Sequence, residues 1–432
     1  MQCVLSVVRQ SVLSLRDKSS APPHNPEHVT AGAGSTAVMA KSPSLLPYAL
    51  PSRARILLTG STGCIGSHIA VELLTHTDCT LELLVRGGTL RFVAEADEAL
   101  RNGVELGRVH VHDVDLAAGQ GLENEQLRTI VGICDALILC AASWGGDTAH
   151  AVNVASVLAT IRAVNKRRCR KIVYFSTASV IAPQGRLLIQ EAIRWGTDYI
   201  RSKAIALVEL VKAMSDISET PVSLTIVFPT LVLGRRSHIG KALDTDAAAK
   251  MNHSPLYRGA KYALRFMHME SAVRAHFIHA ADCAQVVRRL LFCVVSASFK
   301  TPARIDLTPP TLVPSVQQPS QTAYLVLGQQ PPFSYDDVVR ALCRLYGLRV
   351  PSRWLRIPAD PLLWLMVHRL IPVDPWTRYC LRRRRELFVF PQAVRPEDFG
   401  GISVAPDLYT ALEQSRTRFT AEQSTREISS AI

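Results

Sequence analysis

Tyr199 and Lys203 stand four positions apart in the run Tyr199-Ile200-Arg201-Ser202-Lys203. On a helix that spacing puts both side chains on one face. A phenol can give a proton to a carbonyl oxygen or take one from an alcohol. Its free pKa is near ~10, too high for an efficient base at neutral pH. A lysine one turn away would stabilise the phenolate and depress that value. Upstream, Lys171-Ile172-Val173-Tyr174-Phe175 reads as a strand and ends in the hydroxyl cluster Ser176-Thr177-Ala178-Ser179. A hydroxyl at a strand end can hold a substrate oxygen.

A second group of residues could hold a nucleotide. Arg55-Ile56-Leu57-Leu58 reads as a buried parallel strand, which Thr59 and Gly60 break. Gly60, Gly63 and Gly66 follow at even spacing, and Ile69, Val71, Leu73 and Leu74 then mark a helix face. Strand, glycine turn and helix form the context in which such glycines matter. Backbone without Cβ can approach a pyrophosphate, and the helix start offers its N–H groups to the anion. The triplet alone is equally an ordinary strand-to-helix turn.

In this order, glycine turn, strand-end hydroxyl and YxxxK, the chain resembles the short-chain dehydrogenase/reductase superfamily. The TGxxGxxG form from Thr59 to Gly66 is similar to that of its extended branch, which includes the NAD-dependent epimerase/dehydratase proteins and the dihydroflavonol-reductase-like enzymes. The resemblance covers residues 53–350. It implies an α/β fold: a Rossmann-type doubly wound parallel sheet with a smaller C-terminal substrate-binding part. From Arg53 short apolar strands alternate with helices, which agrees. The family pattern puts the catalytic hydroxyl on Thr177, with Ser176 and Ser179 as fallbacks, beside Tyr199 as acid/base. Lys203 would also bond the nicotinamide ribose.

The resemblance further implies cofactor contacts at Thr59, Gly60, Thr62, Gly63, Cys64, Ile65, Gly66, Ala141, Ala142 and Pro229. Asp113 matches the family acid that meets the adenine, and Val114 would pack on that ring. Arg86 follows the second strand, where an acid would accept from the ribose of NAD. An arginine there would instead hold the phosphate of NADP, with Arg91 to assist. NADP is the expected cofactor and NAD the alternative. Asn153 resembles the family asparagine of its helix, or is a surface polar residue. Phe228 stands where relatives carry arginine, so a contact to a charged substrate or to the core is lost. Asp282 is expected as a helix cap.

What is missing narrows the reaction. Sugar-nucleotide 4,6-dehydratases carry Asp-Glu after the threonine, where this chain has Ala178-Ser179. The expected function is hydride transfer between NADP(H) and a carbonyl or alcohol on an apolar substrate. The alternatives are a nucleotide-sugar epimerase with retained NAD and a non-catalytic NADP-binding protein.

The rest of the chain bounds context. The 432 residues hold two or three domain-sized cores, with 48% hydrophobic residues and no apolar run of transmembrane length. The ten cysteines form no CxxC pair, and read as buried thiols in a reducing compartment with no metal site. Net charge is +13, but no nucleic-acid module accompanies it. Residues 1–52 are rich in Ser, Ala and Pro with a basic bias, which suits a transit peptide to plastid or mitochondrion. A leader without an address, and so a cytoplasmic protein, is the other reading. Residues 53–234 form the expected nucleotide-binding core and 235–420 the substrate part, with a Pro-rich loop at 301–321 and a disordered tail at 421–432. The Trp354–Arg385 stretch, with its run Arg382 to Arg385, suits either a C-terminal helix on the substrate part or an interfacial helix touching a membrane. A homodimer is compatible with the family.

Overall fold

The computed structural model describes residues 49–88, 94–118, 125–215, 222–235, 267–270, 274–293, 322–345, 355–358, 360–368, 372–383 and 387–415, with Val350 and Leu370. The first half winds as β1 (Arg55–Thr59), α1 (Cys64–His76), β2 (Thr80–Val85), α2 (Ala94–Glu105), β3 (Val109–Asp113), α3 (Glu125–Gly132) and β4 (Ala136–Leu139). A π-helical turn, Ala151–Ala155, leads into α4 (Ser156–Arg162), followed by β5 (Lys171–Phe175), α5 (Ile189–Trp195), α6 (Asp198–Ser215) and β6 (Ser223–Pro229). The second half holds β7 (Leu231–Leu233), β8 (Met267–Glu270), β9 (Arg274–Ala275), β10 (Phe277–His279), α7 (Ala280–Phe292), β11 (Thr322–Leu327) and β12 (Phe333–Ser334). The remaining elements are α8 (Tyr335–Leu345), β13 (Leu355–Pro358), α9 (Asp360–Val367), α10 (Pro375–Arg382) and α11 (Leu408–Gln414).

Seven strands form one sheet in the order β11-β6-β5-β4-β1-β2-β3, and every pairing is parallel. Parallel strands need helical crossovers, which cover both faces and make the strands near-continuously apolar. Leu57, Leu137, Ile172 and Leu224 face the layer of α3, α4 and α6. Ile56, Leu58, Leu83 and Val173 face the layer of α1 and α7, which an Arg288 Nε to Glu72 Oε1 bond of 2.7 Å also ties together. The strand order reverses between β1 and β4, and a ligand crevice opens at such a switch point. This is the expected doubly wound sheet.

A third, smaller core gathers Phe277, Phe333, Ala341, Leu408 and Leu412. Sequence expectations there need correction. Trp354 to Arg385 is not one helix but β13, α9 and α10 in succession. His279, not Asp282, caps α7, its side chain accepting from Ala281 N–H. Asp282 lies fully buried in the first turn, accepting from Val404 N–H at 2.7 Å and from Gln329 Nε2 at 3.1 Å. Leu50, assigned to the leader, is buried against α7 and its N–H donates to Leu291 O. The Pro-rich loop, Arg91, Arg384, Arg385 and the 421–432 tail lie outside the described residues. Among the described residues no helix is long and apolar enough to cross a membrane.

Candidate active site

One cleft of about 1590 Å³ runs along the C-terminal ends of the strands. At one end lies the glycine turn. Gly60 has φ +72° and sits against the Ala141 backbone, where a Cβ would come within 2.7 Å. A Cβ on Gly66 would collide with the Gly60 carbonyl. Gly63 N–H donates to Gly60 O at 2.9 Å and closes the turn. Gly63 is the N-cap of α1 and has no side chain to offer the first-turn N–H groups. Those groups meet the cleft, whose wall includes Thr62, Gly63, Cys64, Ile65 and Gly66. Ala141 and Ala142 face them across the floor. Ser61 Oγ is buried nearby without a partner. Such a cradle, all backbone and small residues, fits a dinucleotide pyrophosphate.

Thr59 has a different place from the one expected. It is buried and its Oγ1 accepts from Ala141 N–H at 3.2 Å, so it ties β1 to β4 behind the wall. Arg86 is exposed in the wall at the end of β2. Asp113 is not in the wall. Its Oδ1 accepts from Gly87 N–H at 2.7 Å, so it braces the turn that carries Arg86. Val114 lines the cleft, and Asp115 joins it there.

The other end of the cleft brings together Thr177, Tyr199 and Lys203, with Pro229 alongside. Thr177 follows β5, and the helical spacing of α6 sets Tyr199 one turn from Lys203. Lys203 is buried and its Nζ donates to Phe175 O at 2.8 Å, with the Tyr174 ring 5.1 Å away. Burial pulls its pKa down to about 8. Burial pushes the Tyr199 phenol up to about 12, opposed by the hydrogen bond from the Thr177 side chain. This corrects the expectation of a depressed phenol. The ammonium is engaged with the strand carbonyl, so desolvation wins.

Asn153 is no surface residue. It is fully buried on the π-helical turn, accepting from Ser143 N–H at 2.9 Å. It donates to Ser143 O and to Ser202 Oγ, each at 2.8 Å. Ser202 Oγ in turn donates to Tyr199 O at 3.0 Å.

The outer wall is made by residues that sequence reasoning missed. Asp374, Trp376, Thr377 and Cys380 on and before α10, then Leu387, Phe388 and Phe390, face the catalytic end. Asp374 caps α10 by accepting from Thr377 N–H at 2.9 Å, and Pro375 opens the helix. The Asp-Pro-x-Thr run was the available signal. Trp376, Tyr379 and Trp195 stack in a row and fasten α10 to α5. Trp144, on the loop after β4, stacks on Tyr199 with ring centroids 4.6 Å apart. His276 also lines the cleft, but both ring nitrogens are used: Nδ1 donates to Gln329 O at 2.8 Å and Nε2 accepts from Phe390 N–H at 3.0 Å. Burial lowers its pKa, so it stays neutral.

The model of the NAD dependent epimerase/dehydratase family matches residues 56–294. A curated relative, the isonitrile lipopeptide synthase of Streptomyces coeruleorubidus, is 29% identical over an alignment of 153 residues that covers 32% of this chain. The match covers only 10% of that protein's length. Among solved structures, the terminal R domain from the myxalamid PKS-NRPS biosynthetic pathway superposes with TM-score 0.52 at 19% identity, over 86% of this chain and 91% of that one. The dTDP-glucose 4,6-dehydratase from Bacillus anthracis str. Ames, in complex with NAD, gives TM-score 0.50 at 13% identity, over 84% and 95%. At these identities the likeness is one of fold.

Proposed function

The chain belongs to the NAD-dependent epimerase/dehydratase family of NAD(P)-dependent enzymes, and on that premise we propose that it is an NADP-dependent oxidoreductase acting on an uncharged carbonyl or alcohol. The observation that carries this reading is the convergence of Thr177, Tyr199 and Lys203 at one end of a cleft whose other end is a glycine cradle. Reduction needs a hydride at carbon, which NADPH supplies when bound, and a proton at oxygen. Tyr199 gives that proton. A phenol pushed up to about 12 is protonated at neutral pH, the form that the acid of reduction needs. Thr177 holds the substrate oxygen. Lys203, still mostly protonated at neutral pH, holds the nicotinamide ribose.

At the far end, Thr62 to Gly66 hold the pyrophosphate and Ala141 and Ala142 leave room for the cofactor. Arg86 takes the phosphate of NADP, on a turn braced by Asp113, and Val114 packs on the adenine. Pro229 lies along the nicotinamide side of the cleft.

The substrate end supports an uncharged, apolar partner. Several of its polar side chains are already engaged within the chain: Thr377 Oγ1 with Asp374, Thr230 Oγ1 with Leu327 O, and both nitrogens of His276. Among the described lining residues the cations are Arg86 and Lys203, at the nucleotide and catalytic positions. A nucleotide sugar would bring a diphosphate that the described residues of the outer wall do not meet with positive charge.

The test is a titration with NADPH and NADH, followed by NADPH oxidation across a panel of carbonyls. Tighter NADPH binding and turnover of apolar carbonyls are expected. Interconversion of UDP-sugars without net cofactor oxidation would replace this reading with an epimerase.

A further inference from the structure

α9 has an unusual make-up. From Pro361 it reads Pro361-Leu362-Leu363-Trp364-Leu365-Met366-Val367, without one charged side chain. A helix that is apolar all round belongs in a core or in lipid. The core takes little of this one. Of its described side chains only Met366 is buried, Leu365 and Val367 are half-buried, and Trp364 is 55% exposed. Just beyond, Leu370 is 64% exposed. Its place is fixed by the main chain: its N–H donates to Leu365 O at 3.0 Å and closes the end of α9. Two such side chains in water cost free energy that burial elsewhere would recover.

The charge around α9 has one sign. Residues 353–385 hold eight arginines against Asp360 and Asp374, a local excess of six in a chain whose net charge is +13. Asp374 is occupied in capping α10, where it accepts from Thr377 N–H and Oγ1. α9 packs on α10. On α10, Trp376, Thr377, Cys380 and Leu381 are buried, and Arg382 and Arg383 stand exposed at the end. Arg383 lies 5.6 Å from the Tyr379 ring, and neither arginine pairs with a carboxylate among the described residues.

We propose that α9, Leu370 and the arginines ending α10 form a docking surface for an anionic lipid bilayer. Trp364 and Leu370 enter the interfacial layer, and Arg382 and Arg383 meet lipid phosphates. An indole, with an apolar body and one N–H donor, is suited to that layer. At eight residues α9 is about 12 Å long, far short of a bilayer core of ~30 Å, so it lies on the membrane without crossing it. An acidic protein would also meet the arginines. The exposed apolar residues beside them, Trp364, Leu370 and Pro372, offer such a partner almost no hydrogen bonds, and lipid needs none. α10 also walls the cleft through Trp376, Thr377 and Cys380, so docking holds the cleft about one short helix, about 12 Å, from the headgroups. The surface does not depend on which reaction the cleft performs.

The experiment is sedimentation of the full chain with vesicles of phosphatidylcholine, alone or mixed with phosphatidylserine, at low salt. The parent should bind the mixed vesicles more tightly by roughly 10-fold or more. Arg382→Gln with Arg383→Gln should weaken that binding by roughly 10- to 30-fold, the scale of two arginines near an anionic surface. Trp364→Ala with Leu370→Ala should weaken it by roughly 10-fold with every charge kept. Lys166→Gln with Arg167→Gln removes two exposed cations at the opposite end of the sheet, before β5, and should leave binding as in the parent. Thermal melting verifies that each variant is folded. A parent that stays in the supernatant overturns the inference and leaves the patch to a protein partner. Binding unchanged in either the arginine or the Trp364–Leu370 pair overturns it too, since the contact then lies elsewhere. An equal loss in the Lys166–Arg167 pair reduces the effect to overall charge and also overturns it.

Discussion

The two ends of the cleft are built in opposite ways. The nucleotide end is main chain: a glycine turn, the start of α1 and two alanines, most of it drawn from the short run Thr59 to Gly66. The outer end is side chain: Trp144, His276, Trp376 and Phe390, drawn from segments hundreds of positions apart. A pyrophosphate is the same in every dinucleotide, and backbone N–H groups suffice to hold it. A substrate differs between relatives, and distinct side chains on a shared frame are what can differ with it. The family match ends at residue 294, before α10 begins, so Trp376 and Phe390 lie beyond it while Trp144 and His276 lie within it.

The largest test falls on the seam between the ends. Tyr199→Phe keeps the ring and its stack on Trp144 but removes the proton. Turnover should fall roughly 10²-fold or more, the scale of general acid catalysis, while NADPH affinity measured by titration holds. Near-parent turnover would sink the mechanism. Gly66→Ala should strike the nucleotide end alone. The added Cβ meets the Gly60 carbonyl, and the cradle must open to admit it. NADPH affinity should drop by roughly an order of magnitude, or about 1.4 kcal/mol. Unchanged affinity would mean that the turn is not the pyrophosphate site.

Arg86→Asp refines the same end. It replaces a phosphate partner with a ribose partner, so the preference for NADPH over NADH should reverse. Equal affinities in the parent would remove the basis for the reversal. Trp376→Ala is the counterpart on the outer wall, where KM for an apolar carbonyl should rise several-fold with NADPH affinity intact.

The smallest effect is a control beyond both ends. Lys171 is buried at the far end of β5, its Nζ donating to Leu290 O at 2.6 Å. Burial lowers its pKa from 10.5 to about 8. The unfolded chain therefore binds the extra proton between those values, and stability rises with pH across that window. Below about 8 the penalty is constant. Denaturant titrations should show a steeper slope in the parent than in Lys171→Met, where Lys203 keeps its own share, with cofactor affinity alike in both.

The same contrast explains what could be read in the sequence. The glycine turn and the Tyr199–Lys203 pair are local patterns, fixed by strand, turn and helix spacing, so the parallel sheet and the ordering of the site followed from them. The outer wall depends on α10 packing through Trp376 and Cys380 into the first core beside α5, a contact that no neighbour in sequence reveals. The apolar, basic character of Trp354 to Arg385 suggested one helix, on the substrate part or at a membrane interface, although Asp374-Pro375 marks a new helix start within it. Asn153 looked like an even choice because only tertiary packing shows that its amide is consumed by Ser143 and Ser202. The phenol's raised pKa was likewise hidden. Helical spacing gives the nearness of Lys203 but not that Phe175 O holds its ammonium.

The edge pairing of β6 with β11 has a consequence for synthesis. Residues Ser223–Pro229 leave the ribosome well before their partner Thr322–Leu327, and α10 follows later still. Every residue of β6 is buried in the finished sheet. Until β11 arrives, an apolar strand with an unpaired row of N–H and C=O groups is open to any other chain. The growing polypeptide passes through an interval with its nucleotide cradle already encoded and its sheet unsealed, and that interval is when a chaperone, or a tightly held dinucleotide, would matter most to its survival.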